Sequence, residues 1–567
     1  MEKIWLKHYP PEIPAEINPD AFPSLPDMFR QVFSEFADRP AFYNMGTVLT
    51  YAKLDELSGA LAAYFQQVLG LQKGDRIAIM MPNILQYPVT LFAALRAGLT
   101  VVNVNPLYTA HELSKQLKDS GATAIVVLSL CAKTVQDAIA ETSVKSVIVT
   151  NPGDLFPRIR GLFADFYMRY IKRKIPHYWM TGLYDFRTAL HRGKKLTMRP
   201  VSIQLEDIAF LQYTGGTTGI SKGAMLTHRN MVANILQAEA WFAPITRRGR
   251  DVMLAALPLY HIFSLTANCF FISKTGGLNV LISNPRDVSG MIREMAKFRF
   301  TIITGVNTLF MAMLKSPLFS TLDFSDLKLG LGGGMAVQRV VAEKWREVTG
   351  TVLLEAYGLT ETSPCATANP WNLKEYNGTV GLPLPSTDVC VLDENQQEVP
   401  LGETGELAIR GPQVMAGYWN TPSETENVFT KGGWLLTGDI VSIDKQGYVR
   451  IRERKKDMIL VSGFNVYPNE VEDVLVALLG VREVAVIGVP DPHSGEAIKA
   501  FVVSDRPDLT SEEVIRYSHQ NLTGYKVPKY VEFRTELPKT NVGKILRRAL
   551  RVTHSSLSEG GEARTGT

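Results

Sequence analysis

From about residue 40 to residue 350, short apolar runs rich in β-branched residues alternate with stretches whose apolar positions recur at helical spacing. Residues 76–80 (Arg-Ile-Ala-Ile-Met), 123–128 and 145–149 are nearly continuous apolar runs of strand length. Strands buried on both faces of a parallel sheet read this way. Residues 89–97 predict an intervening helix, with Pro88 at its start and Gly98 just past its end. This alternation predicts an α/β fold with largely parallel sheets. After about residue 375 the texture changes to short strands with turn signals, as in 389–393 and 405–410, which predicts a small β subdomain. Residues 450–457 are densely charged, and a helix-strand pattern restarts at 469–472. A boundary is therefore expected at 453, giving an N-terminal unit of 1–452 and a C-terminal unit of 453–554. Residues 555–567, rich in Ser, Gly and Glu, are expected to be a disordered tail.

A chain of 567 residues is too long for one hydrophobic core, which agrees with several units. Its 60 basic and 56 acidic residues leave a net charge of only +4, so nucleic-acid binding has no general support. Cys131, Cys269, Cys365 and Cys390 are far apart, with no CxxC pair. That spacing argues against a zinc site or a disulfide framework and suits a reducing, cytoplasmic setting. The first residues lack the apolar segment of a signal peptide. Residues 252–273 contain no Asp, Glu, Lys or Arg and approach the length of a membrane span. Pro258, Tyr260, His261 and Asn268 interrupt them, so a buried strand and helix are expected instead.

The densest chemical signal is Tyr213-Thr214-Gly215-Gly216-Thr217-Thr218-Gly219-Ile220-Ser221-Lys222-Gly223, which follows an apolar run. Glycines let backbone N–H groups approach phosphate oxygens, while threonine hydroxyls and Lys222 add donors and charge. A P-loop needs Gly-x-x-x-x-Gly-Lys-Ser/Thr. Counted from Gly216, Ser221 stands where the second glycine belongs and Gly223 where the hydroxyl belongs, so that pattern fails twice.

The segment resembles the signature loop of the adenylate-forming superfamily, which comprises acyl-CoA synthetases, luciferases and peptide-synthetase adenylation domains. Further motifs similar to that family recur in order as far as about residue 548: Leu331-Gly332-Gly333-Gly334-Met335, Tyr357-Gly358-Leu359-Thr360-Glu361-Thr362, Trp434-Leu435-Leu436-Thr437-Gly438-Asp439 and Pro538-Lys539-Thr540-Asn541-Val542-Gly543-Lys544. The resemblance implies an α/β fold: a large N-terminal AMP-binding domain of two α/β subdomains plus a small β-barrel-like subdomain, and a small mobile α+β C-terminal domain. It also implies roles. The loop from Thr214 to Lys222 would hold ATP phosphates, and Thr214 and Glu361 would hold magnesium. Tyr357 would stack on adenine beside Gly333, Gly334, Gly358 and Thr360, while Asp439 and Arg454 would bind the ribose. Lys544 would be the catalytic cation of the first half-reaction, joined by Glu361 and Thr214. Glu453 occupies the hinge position, where the family usually has aspartate or sometimes lysine. Ser462, Gly463 and Phe464 would face the CoA thiol after rotation of the small domain.

Leu257-Pro258-Leu259-Tyr260-His261-Ile262-Phe263-Ser264 resembles the motif beside the acyl site, so His261, Phe263, Gly334 and Met335 are expected to shape an acyl pocket. A histidine among apolar residues also suits plain core packing. No Asp or Glu occurs between 252 and 286, so an uncharged acyl chain suits this pocket better than an amino acid. Burying each methylene is favourable by about 0.8 kcal/mol. The segment 457–468 resembles bacterial long-chain fatty acid–CoA ligases. The expected reaction joins a fatty acid, ATP and CoA through an acyl-adenylate. A carrier-protein thiol as acceptor, or medium-chain or aryl acids as substrates, are the alternatives. Residues 157–179 mix Arg158, Arg160, Arg169, Lys172, Arg173 and Lys174 with aromatic residues. That mixture suits peripheral contact with the anionic inner face of the cell membrane as well as it suits a solvated helix. Dimers among relatives leave a homodimer open.

Overall fold

The computed structural model describes residues 2–214, 221–462, 464–492, 494–540 and 543–551. The tail expected at 555–567 lies outside them.

A seven-stranded sheet runs in the order Leu183–Asp185, Ser146–Thr150, Ala124–Leu128, Arg76–Met80, Thr100–Asn103, Ile208–Thr214, Lys222–Thr227. Every pairing in it is parallel except the last. Ala124–Leu128 and Ser146–Thr150 are buried at every position, so their apolar runs do not alternate with polar residues. A nine-stranded sheet is parallel through its centre, from Leu353–Gly358 across to Pro40–Asn44, with antiparallel strands at both ends. Helices connect the parallel strands. Ala110–Ser120, for example, starts at a Thr109–Glu112 capping box and stops at Gly121 in the left-handed region.

The helix expected over 89–97 is observed as Gln86–Arg96, with Pro88 inside its first turn, where a missing N–H leaves no bond unmade. Residues 252–273 divide as expected into the strand Val252–Ala255 and a helical stretch, Ile262–Ser264 continuing through Leu265–Ile272. Among the described residues no helix is long and apolar enough to cross a membrane.

Two further sheets follow, the first antiparallel and the second antiparallel except for its last strand. Asp388–Leu392, Thr404–Arg410, Leu435–Ile443 and Val449–Arg454 form a four-stranded sheet. The strands Ile459–Val461, Phe464–Val466, Val481–Asp491, Gly495–Ser504 and Tyr530–Phe533 form a five-stranded sheet with its own apolar core, packed by the helices Pro468–Val476 and Ser511–Asn521.

Candidate active site

The strands Ile208–Thr214 and Lys222–Thr227 pair antiparallel with Thr214 opposite Lys222, so the Gly/Thr/Lys motif links two hydrogen-bonded strands at a sheet edge. Gly215, Gly216, Thr217, Thr218 and Gly219 lie outside the described residues. Beside them, the Tyr213 ring packs on Gly223, where a Cβ would come within 3.0 Å of it, and the Tyr213 hydroxyl donates to Asp119. Lys222 ion-pairs with Glu424, and its ammonium lies 5.3 Å from the ring centroid of Tyr418. The Tyr418 hydroxyl donates to Glu361 Oε1 at 2.6 Å. A chain of contacts thus joins the phosphate motif to Glu361, nearly 140 residues further along.

Glu361 lies in the short turn Thr360–Thr362 beyond the strand Leu353–Gly358, and this turn touches the strand that ends in Thr214. Among the described residues no group of three or more His, Cys, Asp or Glu gathers to hold a metal. A single carboxylate and a hydroxyl are hard oxygen donors that fit magnesium, which takes its other ligands from phosphate and water. They would not suit a transition metal that prefers nitrogen or sulfur.

Tyr357 donates its hydroxyl to Asp439 Oδ2 at 2.6 Å, and Arg454 Nε, within charge range of Glu361, meets Asp439 Oδ1 at 2.8 Å. Burial, then the Asp439 charge, pushes the Tyr357 phenol well above its ordinary value, so it stays a donor. Lys544, from the last motif, comes within charge range of Arg454 and Asp439. Lys544 keeps solvent access yet has protein groups close around it, and the desolvation they cause, followed by the Arg454 charge, lowers its pKa to about 8. Gly543, at φ +83°, sits on Thr308, whose hydroxyl faces the Gly543 carbonyl at 3.4 Å. The glycine before Lys544 thereby seats the last motif on the N-terminal unit.

Phe263 lies against Gly333: a Cβ there would stand 3.0 Å from its ring. Gly334 follows at φ +76°, where a Cβ would stand 3.8 Å from Val306, with Met335 next to it. His261 accepts the Phe263 N–H through Nδ1 at 3.3 Å. Burial, then the Lys544 charge, lowers its pKa to about 4, so the imidazole is neutral near pH 7. Thr360 opens the Glu361 turn, and Gly358 ends the strand that precedes it.

Glu453 is 1% exposed and anchored at both carboxylate oxygens. Oε2 accepts the Asn469 N–H at 3.0 Å, and Oε1 meets Arg547 at 3.1 Å. Arg547 also grips Glu472 at 2.8 Å and Asn469 at 2.8 Å. Ser462 and Phe464 are not brought to this cluster: Ser462 N–H bonds to the Ser494 carbonyl, and Phe464 stacks on Tyr525. Gly463 lies outside the described residues. Sequence reading missed Tyr418, Glu424, Glu472 and Arg547. The aromatic run Gly417-Tyr418-Trp419 was the one local signal that pointed to any of them.

The AMP-binding enzyme family matches residues 29–419, and the AMP-binding enzyme C-terminal domain matches residues 470–544. A long-chain-fatty-acid–CoA ligase of Yersinia pestis is 56% identical over 551 residues, covering 97% of this chain and 98% of the relative. The enzyme of the same description from Escherichia coli O6:H1 is 55% identical with the same coverage. ATP-bound MatB from Rhodopseudomonas palustris superposes with a TM-score of 0.81 at 29% identity, covering 94% of this chain and 99% of that one.

Proposed function

This chain belongs to the AMP-binding enzyme family, and from that premise we propose that it is an ATP-dependent long-chain fatty acid–CoA ligase. Extensive identity to curated enzymes of that description supports the reading. The single structural observation that carries it is the convergence of Lys544, Asp439, Arg454, Tyr357 and the Phe263–Gly333 contact on one cleft.

A fatty carboxylate resists thiol attack because its charge repels nucleophiles and oxide is a poor leaving group. In the first step a carboxylate oxygen attacks the α-phosphorus of ATP, and pyrophosphate leaves. The loop from Thr214 to Lys222 holds the phosphates, and Lys222 must exchange Glu424 for a phosphate oxygen to do so. Asp439 accepts the ribose hydroxyls while Arg454 and Tyr357 keep its carboxylate oriented. Glu361 and Thr214 would hold magnesium, which would supply charge neutralisation at the phosphates. Lys544 stabilises the negative charge that develops at the α-phosphate, so its contribution is electrostatic and positional. Neutral His261 and Phe263 line the start of an acyl channel that takes no second charge. In the second step the CoA thiol, losing its proton, attacks the acyl carbonyl and AMP leaves.

One cleft thus serves two reactions. We take 1–452 as the AMP-binding domain and 453–554 as the mobile domain, a boundary that falls inside the strand Val449–Arg454 of the four-stranded sheet. Its rotation about Glu453 would withdraw Lys544 and bring Ser462, Gly463 and Phe464 to the thiol. A cytoplasmic location, peripheral contact with an anionic membrane and homodimer formation belong to the same proposal.

The test is incubation with ATP, magnesium, CoA and fatty acids of increasing length, followed by mass spectrometry. Acyl-CoA and AMP forming together, most rapidly with long chains, is the expected result. Acyl-AMP accumulating without acyl-CoA would shift the acceptor to a carrier-protein thiol, and absence of turnover would refute the ligase reading.

A further inference from the structure

The helix Arg158–Phe166, continuing through Tyr167–Ile171, is turned the wrong way round for a core helix. Ile159, Leu162, Phe163, Phe166 and Tyr170 recur at i, i+3, i+4, i+7 and i+11, and so form one stripe. That stripe faces outward: Ile159 is 74% exposed and Phe163 70% exposed. Trp179, just beyond the helix, is 77% exposed. The inward face carries Gly161, Ala164, Asp165 and Met168, of which only Gly161 is fully buried. Beside the helix stands the hairpin tip of Met45 and Val48, both half exposed, with Gly46 against the Arg160 guanidinium.

This outward presentation is held from beneath. Gly153 and Gly161 meet backbone to backbone, so that a Cβ on either would fall within 2.4 Å of the other's carbonyl oxygen. Asp165 Oδ1 accepts the Gly153 N–H at 2.8 Å. Arg187 clamps the base, meeting Asp154 at 3.0 Å and the Gly153 carbonyl at 2.8 Å. Such a base keeps the apolar stripe from folding back onto the protein. Contiguous exposed apolar patches are uncommon on monomeric soluble proteins and mark contact surfaces.

We propose that this helix and the Met45–Val48 hairpin tip form a rigid foot that docks on an anionic lipid bilayer. Charge selects the occupant. Arg158, Arg160, Arg169, Lys172, Arg173 and Lys174 flank the stripe, and the segment's one carboxylate, Asp165, is turned inward. Among the described residues, none of Arg158, Arg160, Lys172, Arg173 or Lys174 is ion-paired to a carboxylate. A second copy seated on this face would set like charges against each other, whereas an anionic surface satisfies them while the stripe enters the acyl boundary. The advantage of docking rests on the fatty-acid reading above, since a bilayer holds dissolved fatty acid; the docking itself does not.

The test is co-sedimentation of the full chain with phosphatidylglycerol–phosphatidylcholine vesicles and with phosphatidylcholine vesicles. Two variants accompany it, Phe163→Ser with Phe166→Ser, and Lys172→Gln with Arg173→Gln and Lys174→Gln. Wild type should bind the anionic vesicles preferentially and release them at high salt, and each variant should bind about tenfold more weakly. Variants that sediment as wild type does, or equal wild-type binding to neutral vesicles, would overturn the proposal. So would a wild-type dimer that ignores vesicles and becomes monomeric in the first variant, because the face would then be a contact between copies. ATP–pyrophosphate exchange with a micelle-free medium-chain acid checks that the variants are folded. If exchange is absent in every protein, wild type included, the ligase reading fails while the vesicle result still stands.

Discussion

Lys544 shows how much of this site depends on single charges. An amine is cationic below its pKa, and desolvation with the Arg454 charge lowers that of Lys544 to about 8. Its charge is therefore lost as pH rises through about 8 in the ATP-free protein, well before an ordinary lysine deprotonates. An amine-acylating reagent applied near that pH should label Lys544 ahead of other exposed lysines, and ATP should suppress the labelling; peptide mapping that finds uniform labelling would contradict this. Lys544→Ala should slow adenylate formation by about 100- to 1,000-fold, the scale of removing one well-placed stabilising group. Thiolysis of supplied acyl-AMP should be nearly unchanged, and equal loss in both half-reactions would refute the division of labour. Lys544, Asp439 and Arg454 could be picked out as candidates because each stands in a recognisable short motif. Tyr418 and Glu424 could not, because their significance lies in partners, Glu361 and Lys222, that are distant along the chain.

The elements show where hydropathy suffices and where it does not. Fully buried strands announced themselves as apolar runs, and the helix expected over 89–97 starts three residues earlier and ends one residue earlier, at 86–96. The run 252–273 was long and apolar enough to be weighed as a membrane span; its strand Val252–Ala255 is instead buried between two parallel neighbours. Gly358 shows a constraint that composition hides. It ends a strand where the chain doubles back, and a Cβ there would stand 1.8 Å from the Pro364 carbonyl oxygen. Gly358→Ala must therefore shift backbone next to Glu361. A destabilisation of about 2–4 kcal/mol is expected, read as a lowered denaturation midpoint with weakened ATP binding. An unchanged midpoint would mean that the turn yields freely.

For the whole molecule, the decisive contacts join units that fold around separate cores. Glu453 belongs to the four-stranded sheet, whereas Asn469, Glu472 and Arg547 belong to the last unit. Arg547 stands three residues after Lys544, so its grip on Glu453 and Glu472 ties the catalytic lysine to the hinge in this arrangement. Removing one partner of a buried ionic cluster costs about 3–5 kcal/mol, mostly through the charges left unpaired. Arg547→Met should accelerate proteolytic cleavage around 453–470 and slow adenylation more than thiolysis. Cleavage at the wild-type rate would show that the cluster does not hold the two units together.

By itself the sequence determined the α/β class, the change of texture after residue 375 and the short motifs, because these are local: apolar periodicity and glycine-rich turns are written in neighbouring residues. Only the tertiary structure decided which motifs share a cleft, that Lys222 and Glu361 are bridged through Tyr418, and that the helix at 158–171 turns its apolar stripe outward. Periodicity states that a helix has an apolar face. Which way that face points depends on contacts such as Gly153 with Gly161 and Arg187 with Asp154, made between residues that one-dimensional patterning does not relate.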